Sequence, residues 1–174
     1  MMSDVLFDSD AQRFLWPEIG SEPVRALATH WSSLAANGRA PRRHSFTPLD
    51  LPARGWKNLF LLELCPHSGE YVVRVHGTYL VESAGADLTG RRVTEAEIPG
   101  CTKTATYGLL QRLATAGTPQ YYKGDTFFRP PNWIRVVEQV LCPLADESGR
   151  VASVIGAMEF VSVSRPAELI GADT

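Results

Sequence analysis

The sequence predicts an α+β fold: an N-terminal amphipathic helix, then a five-stranded antiparallel sheet laid down as two strands, a helical crossover and three more strands. Three observations carry this. Apolar residues recur at helical spacing after Ser21, β-rich runs fall into two groups, and the stretch Thr78 to Gly117 between the groups has helical or loop character. A length of 174 residues suits one such domain with short extensions. With 44% hydrophobic and 21% charged residues, the chain can bury a core.

Residues 1–20 show weak periodicity, punctuated by Trp16-Pro17 and Gly20, and read as an arm or short helix outside the main core. The domain proper is expected over 21–163, with 164–174 as a C-terminal tail. Ser21 is placed to cap a helix and Pro23 is tolerated in its first turn. Leu27, Ala28, Trp31, Leu34 and Ala35 then follow Val24 on one face, and Asn37-Gly38 closes the helix. Pro41, Pro48 and Pro52 exclude a continuous helix or central strand from the connector that follows.

Trp56 to Leu64 alternates like a strand, although its leucines also suit a helix. The turn Pro66-His67-Ser68-Gly69 joins it to the β-rich run Tyr71 to His76, which makes a hairpin. Two or three short helices are expected before Gly117, including Thr102 to Ala116. Three strands complete the pattern, Pro119 to Phe128, Ile134 to Leu144 and Val151 to Val163.

Charge and cysteines narrow the function classes. Seventeen basic against nineteen acidic residues give a net charge of −2, so the bulk electrostatics do not ask for nucleic acid. The acidic N-terminus does not resemble a secretory leader, and no apolar run approaches a membrane span, so a cytoplasmic location is expected. Three cysteines without a CxxC spacing argue against a disulfide framework and a zinc knuckle. No metal is expected.

Four local motifs carry a resemblance. Gly38-Arg39-Ala40-Pro41-Arg42-Arg43 with Phe46-x-Pro48 ends the helix, and Arg74-Val75-His76-Gly77-Thr78 ends the second strand. Gly85-Ala86-Asp87-Leu88-Thr89-Gly90 opens the crossover, and Glu138 to Leu144 has the form Glu-x-hydrophobic-hydrophobic-x-Pro-Leu. In this order they resemble the bacterial single-domain PAS family, over about residues 22–163. That resemblance implies a non-catalytic sensory or protein-interaction module of bacterial signalling, often homodimeric, sometimes holding a small ligand between the sheet and its helices. It names no cofactor, because the scaffold holds haem, flavin, small acids or nothing.

Candidate site residues follow. Arg74 and His76 stand at i and i+2 on a strand, so both are expected on one face, where an Arg fork would grip a carboxylate and a His would add pH sensitivity. The plainer reading is an ion pair from Arg74 to Glu63 or Glu138, with His76 satisfied by backbone. Tyr122 and Trp133 lie among aromatics that would line a pocket or pack a core, and Glu138 completes the expected ligand set. Leu27, Trp31 and Leu34 are expected at a self-association surface on the helix. Arg39, Arg42, Arg43 and His44 form a basic patch, read either as an anion site or as solvated and ion-paired. The Gly85–Gly90 loop lacks the Lys-Ser/Thr of a phosphate loop, and its glycines instead supply positive φ.

The reading from another class is a small cone-shaped α+β enzyme, an isomerase or hydrolase using Arg74, His76 and Glu138. A third is a small-molecule carrier with the same pocket. A Cys65–His67 nucleophile pair has no evident orienting group.

Overall fold

In the computed structural model, residues 2–94, 96–98, 105–125 and 134–162 are described. The elements are β1 (Met2–Asp4), β2 (Leu6–Asp8), β3 (Arg13–Leu15), α1 (Glu22–Leu34), β4 (Leu59–Leu64), β5 (Tyr71–His76), α2 (Thr78–Ala84), α3 (Ala105–Ala116), β6 (Gln120–Asp125), β7 (Ile134–Ala145) and β8 (Val151–Ser162). One antiparallel sheet runs β1-β6-β7-β8-β4-β5. The five expected strands are all present, and the crossover joins the β4–β5 hairpin to the β6–β7–β8 meander. Residues 53–58 form a short 3-10 helix before β4, which takes Trp56 to Asn58 out of the expected strand.

The N-terminal segment departs from expectation. It adds β1 to the sheet edge against β6 and folds β2 and β3 into a separate hairpin. Val5 and Phe14 are buried in the core. Phe14 meets the Trp31 ring edge-on at a centroid distance of 4.9 Å, Phe7 meets Phe14 at 5.0 Å, and Trp16 Nε1 donates to Ser32 Oγ at 2.8 Å. This aromatic stack is long-range, so local periodicity carries no trace of it.

The sheet buries both faces. Alternation puts Leu59, Leu61, Val140, Cys142, Leu144, Ile155 and Ala157 under α1, together with Val24, Leu27, Ala28 and Trp31 of the helix. Phe60, Leu62, Tyr71, Val73, Val137, Leu141, Val154 and Phe160 face the crossover, against Leu80 of α2 and Leu109, Leu110 and Leu113 of α3. The helix forms where the sequence places it because Ser21 caps it, its Oγ accepting from the Val24 N–H at 3.4 Å, and Pro23 sits in the first turn.

The family-like motifs have structural causes. Gly77 follows β5 where a Cβ would come within 2.8 Å of the Leu59 carbonyl oxygen, so no larger residue fits. In the loop after α2, Gly85 and Gly90 have φ of 73° and 85°, and Asp87 Oδ1 accepts from the Thr89 N–H at 2.9 Å. This turn lets Gly90 N donate to Val73 O at 2.7 Å and Val73 N donate to Arg91 O at 2.9 Å, so the loop lines the outer edge of β5. The basic connector docks alongside β7. Ala145 N donates to Pro41 O at 2.8 Å, Arg42 Nη1 donates to the Asp146 carbonyl, and His44 Nδ1 lies 3.0 Å from Glu147 Oε1.

Candidate functional site

Two polar clusters interrupt the buried faces. The first lies under α1. Glu138, 1% exposed, accepts from Tyr121 Oη at 2.6 Å and Gly20 N at 3.0 Å through Oε1, and from Ser21 N at 2.7 Å through Oε2. Lys123 Nζ is 3.9 Å from Oε1. The carboxylate thus satisfies backbone donors at the start of α1, where the helix dipole favours an anion. Burial opposes its charge, but the Tyr121 hydroxyl, the Gly20 and Ser21 N–H groups and the Lys123 ammonium outweigh it and hold the carboxyl below the ordinary glutamate value. Burial, followed by the neighbouring carboxylate, pushes the Tyr121 phenol well above its ordinary value. The carboxylate's contacts are therefore those of a structural tie between helix and sheet.

The second cluster lies on the crossover face, at the β6–β7 end. Gln120 stands opposite Leu141, and Tyr122 stands opposite Gln139. Because Leu141 and Val137 face the crossover, alternation puts Gln120, Tyr122 and Gln139 on that side, while Tyr121 and Glu138 point to α1. Gln120 is 2% and Gln139 4% exposed. Gln120 Oε1 accepts no hydrogen bond among the described residues. A buried carbonyl left so costs about 1–3 kcal/mol, and native proteins rarely tolerate it without a partner. Away from it this face carries Phe60, Leu62 and Leu64 on β4 and Val154, Met158 and Phe160 on β8, while Asp4 of the edge strand β1 stands opposite Gln120 in the register. The outer atoms of the Phe60 ring occupy the space that a Cβ on Gly156 would need.

A family model described as PAS domain matches residues 19–159. The chain belongs to the PAS domain family. PAS domains are sensory and regulatory modules, and the helical crossover over one face of an antiparallel sheet is the feature on which the family reading and the geometry meet. Among solved structures, an RNA-binding Light-Oxygen-Voltage receptor is similar at 14% identity and a TM-score of 0.43, over 74% of this chain and 38% of the receptor chain. This PAS domain thus aligns with well under half of that receptor. No curated protein matches it.

Within the PAS domain, the expected ligand residues do not converge. A register shift between Leu61 and Leu62 breaks the i, i+2 rule on β5, so Val75 pairs with Leu61, Val73 with Leu62 and His76 with Phe60. Arg74 is the extra residue. It turns to Glu63, with Nε donating to Oε2 at 2.9 Å, an ion pair between half-exposed side chains. His76 instead shares the Phe60 side, where its Nδ1 accepts from the Leu88 N–H at 3.2 Å and lies 3.8 Å from Asp87 Oδ1. Burial holds the imidazole below its ordinary pKa, and Asp87 pulls weakly the other way. The plainer reading made from sequence is the one found for both residues.

Glu138 is on β7, three strands from β5 and on the α1 side, so Arg74, His76 and Glu138 form no common pocket. The isomerase or hydrolase reading loses its residue set. Tyr122 packs at the margin of the crossover core, beside Gln139. Trp133 lies outside the described residues. Leu27 and Trp31 are fully buried against the sheet, Trp31 Nε1 donating to Pro143 O at 2.8 Å, and Leu34 packs half-buried on the same core. The expected self-association anchors are core residues, because an amphipathic stripe finds its partner in the sheet of its own chain. Among the described residues no three His, Cys, Asp or Glu side chains converge as metal ligands, and no helix is long and apolar enough to cross a membrane.

Sequence reasoning missed Gln120 and Gln139, and it read Tyr121 only as one of the third-strand aromatics, without its tie to Glu138. A signal was present for one of them: Gln139 sits in the run Val136-Val137-Glu138-Gln139-Val140-Leu141, which leaves no solvent face for a polar side chain.

Proposed function

We propose that this PAS domain is a non-catalytic regulatory module that binds a small molecule between α3 and the crossover face of its sheet. The observation that carries the reading is the buried Gln120 Oε1, without a hydrogen-bond partner among the described residues, beside the apolar side chains of the crossover core. Two features support it over the interaction-only branch. The helix residues offered as anchors of a homodimer fill the chain's own core, and α3 packs on β7 and β8 beside the polar end. The signal then passes from the crossover side through the sheet, since β6 and β7 carry both Gln120 and Gln139 on one face and Tyr121 and Glu138 on the other.

Native mass spectrometry of freshly purified protein, beside its denatured mass, tests this. A retained mass lost on denaturation is the expected result. A bare chain mass at every step of a gentle purification, together with no melting-temperature shift from a metabolite extract, would overturn the ligand-binding reading. The same spectra report whether the chain is a homodimer.

A further inference from the structure

The segment that follows α2 straps the outer edge of β5, and two latches of different chemistry hold it there. Val73 N donates to Arg91 O at 2.9 Å, Gly90 N donates to Val73 O at 2.7 Å and Val93 N donates to Tyr71 O at 2.8 Å. These three backbone bonds satisfy edge groups of β5 that would otherwise be open. At the far end the latch is ionic. Arg92 Nε donates to Glu97 Oε1 and the Arg92 N–H to Glu97 Oε2, both at 2.6 Å, and Arg92 Nη1 lies 3.3 Å from Glu70 Oε2. The Arg92 N–H and guanidinium hold the Glu97 carboxyl below its ordinary range, so this latch persists in mild acid.

At the near end the latch is a single imidazole. The His76 side chain is 8% exposed, and its Nδ1 accepts from the Leu88 N–H at 3.2 Å. A protonated Nδ1 cannot accept, and would instead face the Leu88 N–H as a second donor. A carboxylate stands ready for that form. Asp87 Oδ1 lies 3.8 Å from the same Nδ1, beyond hydrogen-bond distance, while it accepts from the Thr89 N–H and hydroxyl. Those Thr89 bonds hold the Asp87 carboxyl below its ordinary range, so it too stays charged in mild acid. The ring thus has two alternative partners on adjacent residues, one for each charge state.

No other charge among the described residues acts on the ring. Phe60 stands opposite it on β4, the Arg74 guanidinium pairs with Glu63, Lys57 Nζ lies over the Tyr79 ring, and Glu82 of α2 is exposed. Gly85 and Gly90 bracket the loop with open space around each, so its path can change there without displacing a side chain.

We propose that the strap is a proton-operated cover on β5: protonation moves His76 Nδ1 from the Leu88 N–H to the Asp87 carboxylate, and the Gly90–Arg91 end of the strap leaves Val73 while Arg92 stays tied to Glu70 and Glu97. Burial disfavours the charged ring under the closed strap. Release lifts that burial and brings the carboxylate within reach, so the ring is more basic in the open form. Proton binding therefore favours opening. The closed form is complete above the ordinary histidine value and is lost as pH falls through the lower value of the closed state.

The test follows the full chain by nitrogen-15 NMR and amide hydrogen exchange from about pH 7.5 to about pH 4, with exchange corrected for the intrinsic rate at each pH. Expected is a titration of the Leu88, Gly90 and Val73 amides at the midpoint of the His76 ring nitrogens. Protection of the Val73 N–H should fall by up to about tenfold per pH unit in that window, while Val93 and Val140 keep theirs. Asp87→Asn should lower the His76 midpoint, and His76→Gln should flatten the response. Amides that ignore the His76 titration overturn the inference, as does an equal response in His76→Gln. So does joint loss of protection at Val73 and Val140, which is global unfolding, or a ring that stays neutral to about pH 4 in the folded chain. An unchanged midpoint in Asp87→Asn removes the carboxylate as the second partner and overturns the switch as stated. The wild-type titration decides alone if a variant fails to fold.

Discussion

The hydroxyl of Tyr121 on β6 lies 2.6 Å from Oε1 of Glu138 on β7, inside the core between α1 and the sheet. The same carboxylate accepts from the Gly20 and Ser21 N–H groups, so a strand, its neighbour and the helix start share one buried anion. Hydrogen bonds to a charged group are worth about 1.5–3 kcal/mol each way of breaking them. Glu138→Gln is therefore expected to lower unfolding stability by about 2–3 kcal/mol, and Tyr121→Phe by about 1–2 kcal/mol. Urea denaturation of both single variants and the double variant checks this. Additive losses would remove the proposed coupling, since groups in one network are expected to be non-additive.

Acid should weaken the fold in two ranges. The His76 imidazole is held below its ordinary pKa of about 6.5, so its neutral form stabilises the fold above that pH, and the contribution is lost as pH falls through the lower folded value. Protonation also turns Nδ1 from acceptor to donor, against the Leu88 N–H. Glu138 is held below its ordinary value of about 4.3, so its contribution is complete above that pH and disappears as pH falls through its folded value. Stability measured against pH for wild type, His76→Gln and Glu138→Gln should show each variant lacking its own step. A wild-type curve flat from pH 7 to about 4 would contradict the His76 assignment.

Gly77 and Gly69 make a matched pair. A Cβ on Gly77 would stand 2.8 Å from Leu59 O, whereas Gly69 has φ of 70° and open space around it. Gly77→Ala is expected to cost about 3 kcal/mol by overpacking against backbone, and Gly69→Ala about 1 kcal/mol from left-handed strain alone. Thermal melts rank the two, and an equal loss would deny the close approach at the end of β5.

Trp31→Glu should unfold the domain rather than dissociate a dimer. The side chain is fully buried and its Nε1 donates to Pro143 O. Trp31→Ala alone is expected to cost about 3–5 kcal/mol, while Leu34→Ala, half-buried at the helix end, costs less than half as much. Circular dichroism reports the fold and light scattering the mass. A folded Trp31→Glu chain of reduced mass would restore the helix as an interface.

Much of the architecture was legible because it is periodic. The stripe from Val24 to Trp31 with Ser21 before it, and the alternation of β7 and β8, are patterns that each residue's neighbours in sequence set. Gly77 and the Gly85–Gly90 loop were legible as motifs, although only the packing explains them: a carbonyl at Leu59 and a strand edge at Val73. The site was far less legible. Arg74 and His76 look equivalent on an ideal strand, and one bulged residue sends them to opposite sides.

The sequence by itself determined the class of fold, the order of strands and crossover, and the family, since these follow from hydrophobic period and from turn residues with local conformational demands. Only the tertiary structure decided which face each polar side chain occupies and what it meets there. Glu138 meets a helix start more than a hundred residues earlier, Phe14 meets Trp31, and Gln120 meets no donor among the described residues. Those partners are brought together by strand register and helix packing, and a one-residue shift reassigns a face without changing the composition or the period from which it was read.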